Sequence, residues 1–175
     1  MNRPVRSNLA QHWMLSRETC FLNHGSFGAT PIAVLEEQSR LRSMIENDPV
    51  RFFERDYTPL ISHSIKILSE FMNADPQGMA FVKNTTEGVN TVLRSLPLQP
   101  GDEILVTDHS YQACWNAVDF VTQRSGAKTV VVEVPFRVGS EDEIVDLVMD
   151  SVTDRTVLAM IDTVTSATGL RVPFE

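Results

Sequence analysis

Two hydroxyl side chains and one amide stand where a predicted strand gives way to a predicted helix. The apolar run Met79–Val82 is followed by Asn84, Thr85 and Thr86. Apolar residues then recur at spacings of three and four through Leu96, which predicts a helix. The first turn of a helix has unpaired N–H groups and the positive end of the helix dipole, and both favour phosphate binding. Taken alone, however, the motif favours an ordinary capped helix, because such caps are common.

Two more polar clusters follow predicted strands. Asp108–Tyr111 follows the apolar strand Glu103–Thr107, and Asp162–Ser166 follows the strand Thr156–Ile161. Strands and helices alternate from residue 79 onward, which predicts an α/β fold with a mostly parallel sheet and helices on both faces. Ligands of such sheets bind beyond the carboxyl ends of the strands. We therefore expect both clusters to meet Asn84–Thr86 at one edge of the sheet.

The chain divides into three predicted parts. Residues 1–20 are expected to form an N-terminal helical arm, residues 21–75 a glycine turn and two helices, and residues 76–175 the α/β domain. A short strand, Cys20–Leu22, is expected to enter the glycine turn. Thr30 is expected to cap the helix that follows the turn, because a proline comes directly after it.

Five polar side chains in the first half of the chain have two interpretations each. Asn23, His24 and Ser26 surround the glycine turn, and they either satisfy the turn's own backbone or edge an active site. Arg51 and Arg55 lie in an aromatic and charged segment, where they are either surface arginines or ligands for carboxylates. The residues alone leave both interpretations of the glycine turn open. For the two arginines they favour the interpretation as surface residues.

Composition and charge exclude several classes of function. With 175 residues, of which 42% are hydrophobic, the chain can form a core and is not a disordered protein. Its net charge of −8 disfavours binding to nucleic acid or to anionic membranes, and no apolar stretch is long enough to span a bilayer. Cys20 and Cys114 form neither a disulfide framework nor a metal site. We therefore expect a cytoplasmic protein that binds no metal.

Four motifs, in order along the chain, resemble one enzyme family. They are Phe21–Gly28, Asn84–Gly88, Asp108–Tyr111 and Thr163–Gly169. Together they are similar to the class V aminotransferases, which bind pyridoxal 5′-phosphate (PLP) on the large domain of the fold-type I scaffold. The isopenicillin N epimerase-like branch is the nearest match, and cysteine desulfurases, kynureninases and related C–S lyases are its relatives. The resemblance is specific for the family and not for a substrate.

The resemblance implies roles at a cofactor site. Thr85 and Thr86 would hold the PLP phosphate at the helix N-terminus. His109 matches the residue whose ring stacks on the pyridine in cysteine desulfurases, and Tyr111 is the rival candidate for stacking or for donating a hydroxyl. Ser166 would lie near the phenolic oxygen of the cofactor.

The resemblance also implies an amino-acid substrate and a homodimer. Asn23, His24 and Ser26 would face the substrate. Arg51 and Arg55 would bind it close to a subunit interface, because members of the family build their sites between two protomers.

Two groups that such enzymes need have no match in this chain. A lysine forms the Schiff base with PLP and an aspartate pairs with the pyridine nitrogen, and in the family both come after the motif matched by Thr163–Gly169. Lys66, Lys83 and Lys128 do not match that lysine, and Asp162 precedes the position of that aspartate. We therefore expect the chain to be the N-terminal half of the enzyme and to be catalytically inert alone.

These observations predict part of a PLP-dependent epimerase, racemase, or C–S or C–C lyase that acts on an amino acid. The alternative is a non-catalytic remnant of the fold that binds a ligand or dimerises. An unrelated nucleotide-binding domain is disfavoured, because no G-x-G-x-x-G or G-x-x-x-x-G-K-[ST] loop follows any predicted strand.

Overall fold

The structure of the chain is a computed structural model that describes residues 6–173. It contains two compact units, Met1–Ala80 and Phe81–Glu175. Each unit is described by itself below.

The first unit is helical. Asp48 ends the first long helix, as expected for a residue before proline, and its carboxylate then caps the next turn by accepting the Arg51 N–H at 3.0 Å. The aromatic and charged segment that follows is a π-helical turn leading directly into the second long helix. In chain order the elements are a 3-10 helix (Asn8–His12), α1 (Ile32–Asn47), α2 (Pro49–Arg51), the π-turn (Phe52–Asp56), α3 (Tyr57–Met72) and a 3-10 turn (Pro76–Gly78).

Three local predictions are wrong. Neither Cys20–Leu22 nor Met79–Val82 is a strand: Met79 has an extended backbone, but a strand also needs a hydrogen-bonded neighbour, and none pairs with either segment within residues 6–173. Thr30 does not cap α1, because α1 begins one residue later than predicted, with Pro31 at the N-cap position and no side-chain cap.

The second unit contains a three-stranded parallel sheet in the order β2-β1-β3, which confirms the predicted α/β class. Helices connect the strands, and the central strand is buried along its whole length because it is paired on both sides. The elements are α4 (Thr85–Ser95), β1 (Glu103–Thr107), α5 (Gln112–Ser125), β2 (Lys128–Val132), α6 (Glu141–Asp150) and β3 (Thr156–Met160).

Alternate residues of β1 face opposite sides of the sheet, as the period of a strand requires. Ile104 and Val106 pack in one buried cluster with residues of α4 and α5, namely Leu93, Ala117 and Val118. Leu105 packs in a second cluster, with Val132, Val134, Ile144 of α6 and Val172. Helices therefore cover both faces of the sheet, as predicted.

Glu103 opens β1 and is a buried carboxylate with two partners. It accepts the Thr153 hydroxyl at 2.6 Å and the Arg155 guanidinium at 3.1 and 2.9 Å. The Thr153 hydrogen bond is the largest cause that lowers the pKa of Glu103 from its ordinary value, and Arg155 lowers it further, against the opposing effect of burial.

Acid should therefore weaken the folded state through Glu103. A folded-state pKa below the unfolded value contributes stability above the unfolded pKa, and that contribution is lost as the pH falls through the folded value. We expect the stability difference between the wild type and Glu103→Gln, measured by urea unfolding at pH 7 and at about pH 3, to shrink in acid. Glu133→Gln, at an exposed site in the same unit, is the control. An unchanged difference for Glu103→Gln would contradict the prediction.

Candidate functional site

The N-terminus of α4 has the caps that the sequence predicts. The Asn84 side chain accepts the Glu87 N–H at 2.9 Å, and the Glu87 carboxylate in turn accepts the Lys83 N–H at 2.9 Å. In a capping box the acid accepts the N–H of the N-cap residue itself. Here Glu87 accepts the N–H of Lys83, the residue before the N-cap, so the pattern is a capping box shifted by one residue. It sets the start of the helix at Thr85.

The capped helix still offers four donors to a ligand. The Gly88 N–H is not one of them, because it donates to the Asn84 backbone carbonyl at 3.2 Å. Within residues 6–173, the backbone N–H groups of Thr85 and Thr86 have no hydrogen-bond acceptor. Two N–H groups, two hydroxyls and the positive end of an 11-residue helix form a donor set that fits a phosphate dianion.

The loop between β1 and α5 is attached to the ends of both flanking strands. Asp108 donates its N–H to the Val132 carbonyl at 3.0 Å, and its carboxylate accepts the Val134 N–H at 2.9 Å. On the other side, Tyr111 donates its N–H to the Asp162 carboxylate at 2.8 Å. The clusters after β1 and β3 therefore meet at the carboxyl edge of the sheet, as the sequence predicts.

The two candidate stacking residues differ in exposure. The His109 side chain is only 11% exposed; its Nδ1 lies 3.1 Å from the Thr168 hydroxyl and its Nε2 3.8 Å from the Asp108 carboxylate. Tyr111 is 49% exposed, and only its backbone N–H is used in the contact with Asp162. The structure thus provides one anchored and one accessible ring at this edge, and the stacking role of either stays a prediction.

Ser166 lies in an exposed turn after β3. The turn is closed by Thr165, whose N–H donates to the Leu170 carbonyl at 2.9 Å and whose carbonyl accepts the Gly169 N–H at 2.9 Å. Gly169 has a φ of +68°, a conformation that favours glycine. Ser166 is therefore an exposed residue at the same edge of the sheet, and its contact with a cofactor stays a prediction.

Cys114, on α5, lies beside the α4 N-terminus and the segment after β3. Burial raises the pKa of its thiol, the nearby Asp162 carboxylate raises it further, and the Thr86 hydroxyl partly offsets both. The thiol is buried. Its neighbours come from the α4 N-terminus and from the end of β3, so these two segments approach each other beside α5.

Sequence reasoning gave no role to Asp162 or Thr168, although both hold the β1–α5 loop in place. Asp162 is the first polar residue after β3, two positions beyond its last residue, Met160, and that placement is a signal that could have identified it. Thr168 carried no such signal, because its contact with His109 joins residues 59 positions apart.

The glycine turn in the first unit is tight. Asn23 accepts the Phe27 N–H through its carbonyl at 3.0 Å, and a Cβ on Gly28 would lie 2.9 Å from the His24 carbonyl oxygen. The His24 ring makes edge contacts with Phe21, at 4.8 Å between centroids, and with Trp13, at 6.1 Å. The turn thus satisfies part of its own backbone, and roles of Asn23, His24 and Ser26 towards a substrate stay predictions.

Arg51 and Arg55 are both exposed, at α2 and in the π-turn. The Arg51 Nε lies 3.6 Å from the Asp56 carboxylate. π-Turns occur often at functional sites, and the proposed contact of either arginine with a substrate carboxylate stays a prediction.

The three lysines have ordinary positions. Lys83 is an exposed residue beside the α4 N-terminus, with its amine 3.9 Å from the Glu87 carboxylate. Lys66 is paired with Glu70 on the surface of α3 at 3.9 Å. Lys128 opens β2 and lies at the amino end of the sheet, away from the candidate site.

The part of the chain from residue 6 to residue 173 shows no group of three or more histidine, cysteine or acidic side chains placed to hold a metal ion. In the same range, no helix has the length and apolar character needed to cross a membrane.

Comparison with known proteins gives consistent results. The family model for aminotransferase class-V matches residues 50–175. Among curated proteins, isopenicillin N epimerase of Amycolatopsis lactamdurans is 32% identical over 158 residues, which cover 87% of this chain and 39% of that protein. A probable chloroplastic L-cysteine desulfhydrase of Arabidopsis thaliana is 29% identical over 168 residues, which cover 88% of this chain and 35% of that protein. The chain thus spans less than two fifths of the length of these relatives.

A solved structure shows the same fold. It is a mutant of C-DES with glycine covalently linked to its PLP cofactor, and it superimposes with a TM-score of 0.84 at 23% sequence identity. The match covers 94% of this chain and 43% of that chain.

Proposed function

Because this chain belongs to the class-V aminotransferase family, we propose that it forms the phosphate-binding and ring-facing part of a PLP site that acts on an amino acid. The family is PLP-dependent. The relatives that this chain matches are of the epimerase and C–S lyase types. The observation that carries the proposal is the meeting of the loops after β1 and β3 at one sheet edge, with the donors of the α4 N-terminus approaching them beside α5.

Each residue at this edge of the sheet has its own contact with the cofactor in this proposal. Thr85 and Thr86 hold the phosphate with their hydroxyls and N–H groups. His109 or Tyr111 supplies a flat ring for the cofactor to pack against, and Ser166 donates a hydrogen bond at the polar side of the cofactor ring. Asp162 acts only through the backbone of Tyr111, by keeping the loop against the end of β3.

When bound, PLP supplies an electron sink for the negative charge that develops on the amino acid when a bond to its α-carbon breaks. The chain's own residues orient the reacting groups. We propose that Asn23, His24 and Ser26 face the amino acid and that Arg51 and Arg55 bind its carboxylate, since a guanidinium pairs with a carboxylate through two hydrogen bonds. The same proposal includes a homodimer, in which the arginines lie near the subunit interface.

The test is an assay of the complete gene product with PLP and a panel of amino acids in D2O. Exchange of the α-hydrogen, measured by mass spectrometry, with return of the amino acid would indicate an epimerase or racemase. Release of sulfide from a sulfur-containing amino acid would indicate a C–S lyase. We expect one of these activities in the complete product and neither in residues 1–175 alone. A product that retains PLP and shows neither activity would contradict the enzyme proposal and favour a non-catalytic binding module.

A further inference from the structure

A cleft in the second unit lies between the last turns of α4 and α5 and has a volume of about 480 Å³. α5 begins at the carboxyl edge of the sheet, and its 14 residues carry the chain about 20 Å away from that edge. The cleft is therefore at the opposite end of the unit from the candidate PLP site. Its wall includes apolar side chains and two arginines, namely Leu96, Leu98, Phe120, Val121, Arg94 and Arg124.

Both arginines lie against one aromatic ring of this cleft. The guanidinium carbons of Arg94 and Arg124 are 5.0 and 5.3 Å from the centroid of the Phe120 ring. A cation within about 6 Å of an aromatic ring is attracted by the negative face of that ring. Both arginines are exposed, so Phe120 holds two accessible positive charges beside the cleft.

Neither arginine has an acidic partner within residues 6–173, where no carboxylate lies within 4.0 Å of either guanidinium. In that range the Arg94 side chain donates one hydrogen bond, to the Asn90 side chain at 3.4 Å, and the Arg124 side chain donates none. A guanidinium has five N–H donors, so most of these donors are left for solvent or for a ligand. In a chain of net charge −8, this pair is a local excess of positive charge.

The helix dipoles balance only part of that excess. Arg94 and Arg124 lie in the last turns of α4 and α5, where the negative end of a helix favours a cation. Each end is equivalent to about half a negative charge, so the two ends offset about one of the two positive charges. The remaining charge of about +1 suits a monoanion better than a phosphate dianion.

We propose that this cleft binds a small organic monocarboxylate with an apolar body. Arg94 and Arg124 bind the carboxylate, since a guanidinium forms paired hydrogen bonds with such a group. Leu96, Leu98 and Val121 contact the apolar body. The volume of the cleft lies within the range of small-molecule sites, about 300–1,000 Å³. The proposal does not depend on the proposed function, because the cleft shares no residue with the candidate PLP site.

The test is isothermal titration calorimetry of the complete gene product with octanoate at neutral pH. Octanamide, which is neutral and has the same apolar body, and inorganic phosphate are the comparison probes. We expect a dissociation constant of about 1 mM or below for octanoate and at least about tenfold weaker binding of the other two. The affinity for octanoate should be the same with and without added PLP, so the result is independent of whether the proposed function is correct.

Three variants assign the binding to this cleft. Arg94→Gln combined with Arg124→Gln should lower the affinity for octanoate on the order of 100-fold, because each lost charged partner contributes about tenfold or more. Phe120→Leu keeps an apolar side chain but not the ring that holds the guanidiniums, and it should lower the affinity about threefold. Arg137→Gln, at an exposed arginine of the same unit, is the matched control and should leave the affinity unchanged.

The proposal would be overturned if the wild type did not bind octanoate or if the double variant kept the wild-type affinity. Equal affinities for octanoate and octanamide would show that only apolar surface is recognised. Equal affinities for octanoate and phosphate would show that only charge is recognised. Either equality would contradict the proposed class of ligand.

Discussion

Replacing Thr85 and Thr86 together with alanine is expected to lower the affinity for PLP on the order of 100-fold and to leave the affinity for pyridoxal, which lacks the phosphate, unchanged. A hydrogen bond to a charged group contributes about 1.5–3 kcal/mol, and each 1.4 kcal/mol is tenfold in affinity. Two lost hydroxyls at the lower end of that range give about 100-fold. Equilibrium dialysis of each variant against PLP and against pyridoxal measures both affinities.

Thr91→Ala is the matched control for this pair. Thr91 lies in the same helix, and its hydroxyl donates to the Glu87 carbonyl at 2.8 Å within that helix. The control therefore removes a threonine hydroxyl from the middle of α4, away from the N-terminus. It should leave the affinity for PLP unchanged. Unchanged PLP binding by the double variant would disprove the assignment of the phosphate site. Equal losses for PLP and pyridoxal would show that the double variant damages the site in general.

Leu93→Ala is expected to reduce the stability of the second unit by about 2–5 kcal/mol, the range for removing a buried leucine side chain. Leu93 is 2% exposed and packs in the cluster that holds α4 against β1 and α5. Urea unfolding followed by tryptophan fluorescence measures the loss. A Trp13→Phe background leaves Trp115, which packs against the same cluster, as the reporter of this unit.

The neighbouring Val92→Ala provides the control, because Val92 is 53% exposed on the same helix. Its effect should remain within about 0.5 kcal/mol, as is usual for surface substitutions. Equal losses at positions 92 and 93 would contradict the role of Leu93 in packing α4 on the sheet, because alanine is a better helix former than either residue that it replaces. Since α4 carries the proposed phosphate site, Leu93→Ala should also weaken PLP binding under conditions in which the substitution unfolds the helix.

Local patterns were sufficient for the parts of the fold whose signals lie within a few residues. Glu103–Thr107 is an uninterrupted β-forming segment between a glycine turn and a polar cluster, and the strand has the predicted bounds. The start of α4 follows from one asparagine and one acid at capping distance. The meeting of the polar clusters after β1 and β3 also followed from sequence, because parallel strands bring their carboxyl ends to one edge.

Features that depend on partners far away in the sequence could not be predicted from local patterns. Met79–Val82 has the composition of a strand, but pairing depends on a neighbour that the segment itself does not specify. The π-turn at Phe52–Asp56 has no periodic signal that distinguishes it from an α-helix. The Asp162 contact with Tyr111 and the Thr168 contact with His109 join residues 51 and 59 positions apart, so only the folded chain reveals them.

The attachment of the β1–α5 loop has a consequence for how this edge can change during evolution. Tyr111 joins the loop to Asp162 through a main-chain N–H, a group that every residue except proline supplies. Its side chain, like that of Ser166, is exposed and takes no part in holding the backbone. A lineage could therefore exchange these two side chains and so alter which ligands are accepted, while the scaffold beneath them keeps its shape. Proline is the replacement that position 111 would not tolerate.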